Sequence, residues 1–278
     1  MRVRMFTLIG ACPFFFLVFP AHGQSVEAEV PTANPGRPTV STPATLTPVG
    51  YLQFENGTLY ASDSQEFSRR ASINQVTKFT VLPRLQLLAL TEPFVHSTGN
   101  GNPDNRPGEV FAGLQDVLLE GQGRMPTVSM SYIRRLYESP APEIDIGTSR
   151  QSALILISED LLGFHFDLNG IVTEQADGTI RRAQLGQTLS ISHPTGKFTL
   201  SGELWHFSQP LTAGNAVGSL FAVAYPVRPN LVVDAGLNHG WTSTSTKWEG
   251  FAGFTYVLPH RFWKAKGKSQ FNDRSRSQ

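Results

Sequence analysis

Residues 163–179, GFHFDLNGIVTEQADGT, alternate with a period of two. Phe164, Phe166, Leu168, Gly170 and Val172 are apolar or small, while His165, Asp167, Asn169 and Thr173 are polar. Only a strand puts successive side chains on opposite faces, so this stretch separates two media. Runs of the same kind recur at 49–62, 66–81, 84–97, 109–120, 124–137, 148–160, 179–193, 196–209, 214–227, 230–241 and 246–259. With 163–176 they predict twelve strands in one domain and no helix. An even count keeps both ends of an up-and-down barrel on one side. Asn56-Gly57 is a hairpin signal, but the resulting arms are too short to cross a bilayer. The stretch 49–62 is therefore read as one strand with Gly57 at a bulge.

Turn chemistry predicts registers that the two faces can check. Asp177-Gly178 reads as a two-residue hairpin loop pairing Ala176 with Thr179. His193-Pro194-Thr195-Gly196 reads as a type I turn pairing His193 with Gly196. These pairings align Phe164, Ile191 and Phe198 on an apolar face, with Leu168, Gln187 and Gly202 further along it. They align Asp167, Thr188 and Ser201 on the polar face. A slip by one residue would mix the faces, so the segment is an antiparallel meander.

Alternation alone leaves open which face is wet. About eight strands are few enough for side chains to fill the interior, whereas twelve strands around an oily, unfilled interior would be hard to stabilise. Aromatics also sit near strand ends: Trp248 and Tyr256 share one face, and Tyr51, Tyr60, Tyr225 and Trp241 lie near termini. Short connections alternate with the long ones at 98–108 and 138–147, the rhythm of short periplasmic turns and long external loops. The expected fold class is all-β: a transmembrane antiparallel up-and-down β-barrel of about 12 strands, oily outside and watery within.

The ends fit export. Arg2 and Arg4 precede the apolar stretch Phe6 to Phe19, and Ala21-His22-Gly23 has the small residues of a cleavage site, so 1–23 reads as a signal peptide. Cys12 is the only cysteine and leaves with it, which excludes disulfide and thiolate chemistry. Removing Arg2 and Arg4 leaves 21 Lys and Arg against 22 Asp and Glu, a balance that gives no reason to expect nucleic acid. Residues 24–46, rich in Pro, Thr, Ala and Ser, read as an extended linker. The barrel occupies 47–263, and 264–278 is a basic, solvated tail.

The segments LQFENGTLY, NRPGEVFAG, LGQTLSISHPTGKFTLSGELWHFSQP and NLVVDAGLNHG resemble the outer-membrane proteins grouped as the MetA-pathway of phenol degradation family. The similarity covers about residues 47–262. It implies an outer-membrane barrel of a Gram-negative-type bacterium, transporter-like or porin-like, associated with uptake of aromatic or other apolar compounds. It implies no catalytic set and no cofactor. The implied partners are outer-membrane lipid, the assembly machinery and a small-molecule solute. One departure is that Phe262-Trp263 is followed by the tail and does not end the chain.

Inward-facing polar residues His165, Asp167, Asn169, Arg182, Gln184, Glu203, Asp234 and Asn238 are the lumen and solute-binding candidates, with Glu55 and Glu249 beside them. They either select solute or merely satisfy one another, because buried charges need partners. Ile171, Val232, Phe251 and one face of Ala153 to Ile157 are apolar positions reaching the lumen. They line a hydrophobic path or pack against a plug or a neighbouring subunit. Two other readings stay open. His206 and Ser208 share one strand face near its outer end, as a lipid-facing nucleophile–base pair would, with Asn215 to orient the histidine. A structural or adhesive barrel fits the long loops too. The remaining histidines show no metal spacing. The expectation is a channel, not an enzyme.

Overall fold

The structure is a computed structural model describing residues 30–99, 104–142, 148–212 and 214–263. Residues 1–29, which hold the expected signal peptide, and the basic tail lie outside the described residues, as do 100–103 and 143–147 of the two long loops. The strands are β1 (Leu52–Ser62), β2 (Arg69–Leu82), β3 (Leu85–Thr98), β4 (Asp104–Arg106), β5 (Val110–Leu119), β6 (Thr127–Tyr137) and β7 (Thr148–Leu161). They continue with β8 (Phe164–Asp177), β9 (Ile180–Thr195), β10 (Phe198–Phe207), β11 (Ala216–Arg228), β12 (Leu231–Gly240) and β13 (Trp248–Val257). Every neighbour is antiparallel, and β1 pairs with β13 to close the sheet.

The wall has twelve places for thirteen segments. Both β4 and β5 pair with β3, at Val95–Ser97 and Leu85–Thr91 respectively, so they are two pieces of one interrupted strand. Part of the 98–108 connection is thus wall. Asn56 and Gly57 lie in unbroken register with β2 and β13. The chain crosses there as one strand, and no bulge forms at Gly57.

The predicted cross-strand pairs are corrected by small even shifts. Ala176 faces Arg181, not Thr179, and His193 faces Leu200, not Gly196. The loops are Gly178-Thr179 and Gly196-Lys197, and in each only the glycine has positive φ, 55° and 63°. Type II′ turns place glycine first in the loop, so each hairpin closes beyond the predicted turn. Asp177 and Pro194 are then strand residues. Even shifts preserve parity, so every side chain stays on its predicted face.

The faces separate cleanly. Outward Leu168, Leu204, Phe221 and Leu237 are 46%, 54%, 60% and 61% exposed, while inward Glu55, Asn169 and Glu203 are 2%, 1% and 3% exposed. A soluble barrel does the reverse; an oily outer surface around a hydrogen-bonded wall suits hydrocarbon, because the closed ladder leaves no unpaired edge. Exposed aromatics ring both ends: Tyr60, Trp241 and Trp248 on the loop side, and Phe164, Phe198 and Phe262 on the turn side. At the turn side Trp263 packs edge-on against Phe79 with centroids 4.6 Å apart, and its indole N–H donates to the Val81 carbonyl at 3.0 Å. This fastens the chain after β13 to β2.

Candidate functional site: a lumen filled by the chain's own N-terminal segment

Residues 30–46 are not a solvated linker. They enter the barrel from the turn side, climb to mid-lumen and return. The Ala33 N–H donates to the Pro229 carbonyl at the turn-side rim. The Asn34 side chain bonds back to the Thr45 carbonyl at 2.9 Å, tying the two legs together. Thr47 then meets Gln86 and Thr80 near the same rim. The segment forms no strand. Its prolines, Pro31, Pro35, Pro38 and Pro43, lack backbone donors and favour extended conformations, so fewer N–H groups must find partners inside. The composition that suits a linker also suits a buried plug.

Wall side chains supply the partners that the plug backbone lacks. Glu203 accepts from the N–H groups of Val40 and Ser41, both at 2.7 Å, and from the Ser41 hydroxyl at 2.6 Å. Asn169 clasps Thr42, accepting from its N–H at 2.6 Å and donating to its carbonyl at 2.9 Å. Gln53 makes the same double contact with Asn34. Glu55 accepts from the Gly36 N–H at 3.0 Å and is paired with Lys78 at 2.5 Å. Arg37 forks onto Asp234 through two nitrogens, at 3.0 and 3.3 Å, and lies over the Phe251 ring. A Cβ at Gly57 would fall 2.5 Å from that guanidinium, and one at Gly253 would fall 2.8 Å from it. Two wall glycines therefore clear its path. On the far wall Ser158 accepts from the Ala44 N–H at 2.7 Å and donates to Asp167 at 2.5 Å. Ala44 also packs with Leu154 and Leu156, flanked by Ile133 and Ile171, so the doubly apolar stretch of β7 serves lipid with one face and the plug with the other.

The candidate residues divide into three groups. Asn169, Glu203 and Asp234 bind the plug directly, and Asp167 does so through Ser158. Gln184 and Asn238 lie deep on the wall but bond to neighbours there: Gln184 accepts from Gln175 at 2.9 Å, while Asn238 accepts from the Trp205 indole and donates to Glu249. His165 and Arg182 stand at opposite rims; His165 lies between Asp160 and Asp167 at 2.7 and 3.3 Å, and Arg182 is exposed. Gln53, Lys78, Gln86, Gln115, Ser129 and Ser158 also serve the plug or its anchors and were not singled out from the sequence. Each sits on the inward parity of its strand, which was the available signal.

Space remains above the plug. A cavity of about 410 Å³ on the loop side is bordered by Val76, Leu90, Phe111, Ala141 and Pro142, with Arg70, Glu92, Glu109, Gln175 and Gln184 among its polar lining. Arg70 is paired with Glu92 at 2.6 Å and Arg135 with Glu109 at 2.8 Å. The adjoining wall is irregular: the β2–β3 register shifts between Ile73 and Gln75, opposite Pro93, and Pro107-Gly108 separates β4 from β5. Beneath the plug apex a second space of about 250 Å³ includes His165, Asp167, Pro35 and Thr39.

The Ser/His pair is not assembled. His206 points outward, level with Gln187, and its Nδ1 has no hydrogen-bond partner among the described residues. The Ser208 hydroxyl instead accepts from the Leu185 N–H at 2.8 Å.

The closed antiparallel β-barrel is a fold shared with outer-membrane channel structures. The COG4313 outer membrane channel from Pseudomonas putida F1 matches with a TM-score of 0.53 at 15% identity, over 81% of this chain and 99% of that one. The NanC porin matches with a TM-score of 0.50 at 11% identity, over 74% of this chain and 98% of that one. These likenesses are of fold. No family model matches the chain, and no curated protein matches it.

Proposed function

We propose that the protein is an outer-membrane channel that takes up a small apolar or aromatic solute and is held shut by its own N-terminal segment. Support for a membrane channel comes from the oily belt, the polar lumen and the two similar channel structures. The observation that carries the solute class is the 410 Å³ cavity above the plug. Its size and its mixture of apolar walls with a few fixed polar groups are those of a small-molecule site, and Phe111 and Leu90 face one another across strands β5 and β3. The inward candidates are then assigned two tasks: Asn169, Glu203, Asp234 and Asp167 hold the plug, and Gln184 with Gln175 meets the polar end of the solute. The test is binding of a fluorescent aromatic probe to the refolded protein. Phe111→Ser weakens it several-fold and leaves the folded barrel intact. Unchanged binding, or binding no tighter than to empty micelles, overturns the solute class.

The orientation follows from the turns. The described ends, near Ala33 and Trp263, and the short turns at Pro83-Arg84, Leu162-Gly163, Gly196-Lys197 and Pro229-Asn230 share one side. We assign that side to the periplasm. The leader's Cys12 is the only native cysteine, so single cysteines report cleanly. Pro140→Cys reacts with an impermeant maleimide on intact cells, whereas Lys197→Cys reacts only after permeabilisation. The reverse pattern inverts the assignment.

A further inference from the structure

Outside the lumen, at the loop-side ends of β6 to β9, a cleft of about 490 Å³ is lined by Arg134, Arg150, Arg181, Gln151 and Glu174. Its position follows from the register. Tyr132 faces Ala153, Ala153 faces Val172, and Val172 faces Leu185. These are outward residues of the apolar belt, and Val172 and Leu185 are about half exposed. Two residues further along each strand, Arg134 faces Gln151 and Gln151 faces Glu174. The belt therefore ends at one level and guanidinium groups begin at the next. Tyr132 marks the boundary: its ring lies on the belt and its hydroxyl donates to Gln151 at 2.6 Å. Tyrosine with an oily body and a wet tip is the side chain of a membrane interface.

Among the described residues the charges of this cleft are incompletely matched. Arg135 and Glu138, which also border it, pair with each other, and Arg135 also pairs with Glu109. Glu174 takes a contact from Arg181 at 3.2 Å, and the Arg181 side chain is 64% exposed. Arg134 and Arg150 have no carboxylate partner among the described residues. The three cations named in this cleft, Arg134, Arg150 and Arg181, are all arginine, whose planar fork matches phosphate oxygens two at a time.

We propose that this cleft binds the phosphate of a phosphorylated glycolipid headgroup in the outer leaflet. The belt sets the depth at which such a headgroup lies, and the three arginines converge just above it. The inference rests on the outer-membrane reading but not on the nature of the solute. The test uses the full mature chain, refolded in detergent, with lipid A as the probe and native mass spectrometry as the readout. Wild type retains lipid A. The triple variant Arg134→Gln, Arg150→Gln, Arg181→Gln retains at least tenfold less while keeping its heat-modifiable gel mobility. Lys197→Gln, at the opposite rim, retains it fully. Equal retention by the triple variant overturns the proposal. So does equal retention of lipid A stripped of its phosphates, or displacement of lipid A by an equimolar amount of inorganic phosphate. Failure of the outer-membrane reading is distinguishable, since the refolded chain would then not enter liposomes at all. Failure of the cleft alone leaves insertion intact.

Discussion

Deletion of residues 31–46 raises single-channel conductance several-fold and makes the pore prefer cations. The barrel does not need the segment to close. Every wall strand is hydrogen-bonded to both neighbours, and the β1–β13 seam runs continuously from Gln53 opposite Val257 to Ser62 opposite Trp248. What the deletion removes is the chain filling the turn-side half of the lumen, together with Arg37. It leaves Glu55, Asp167, Glu203 and Asp234 on the wall there against Lys78. In the filled lumen these carboxylates are satisfied by plug donors or by wall groups such as Lys78, Ser158 and His165. In an open lumen water replaces those donors, and a surplus of wall carboxylates over cations attracts cations. Planar-bilayer recordings in asymmetric salt check both size and sign. A folded deletion variant with unchanged conductance would place the constriction in the loop-side half and remove the gating role from the N-terminal segment.

The wall was legible in the sequence because its determinants are local. Period-two alternation sets the inward residues, so the sequence alone places Asp167, Asn169 and Glu203 inside. Strand count followed from spacing. Exact register did not, because an Asp-Gly or a Pro-Thr-Gly signal admits more than one loop. Placing Gly178 or Gly196 first in a type II′ turn moves the pairing by an even number and hides the error in a correct face pattern. The plug was illegible for a different reason. Its contacts are non-local: Val40 and Ser41 meet Glu203, 163 and 162 residues away. Nothing local distinguishes a Pro/Thr/Ser-rich tether from a Pro/Thr/Ser-rich segment threaded through a polar lumen. The indirect clue was charge. The inward face carried Glu55, Glu203 and Asp234 with few wall cations beside them, and Arg37 is the only cation in residues 24–46.

Leu168 and Asn169 are adjacent in sequence, and their substitution should fail in opposite ways. Leu168 is outward and 46% exposed, between Ile157 and Leu189 on neighbouring strands. Leu168→Arg sets a charge against lipid, which costs about 2–4 kcal/mol near the bilayer midplane. The folded band on unheated gels should weaken, while the molecules that do insert conduct as wild type does. Asn169 is inward, 1% exposed, and clasps the N–H and carbonyl of Thr42 at the plug apex. Asn169→Ala leaves both backbone groups unpaired in a closed lumen, a penalty of about 1–3 kcal/mol for each buried group. That penalty falls on the plugged state and not on the wall, because the β7–β8–β9 ladder does not use the Asn169 side chain. The variant should fold and insert normally, and its recordings should show openings that wild type lacks. Relief comes when the apex withdraws and water reaches Thr42, so the openings should be transient while Glu203 and Asp234 still hold the plug on either side. If Asn169→Ala prevents folding and Leu168→Arg is tolerated in bilayers, the assignment of faces to media is reversed, and with it the reading of this barrel as a membrane channel.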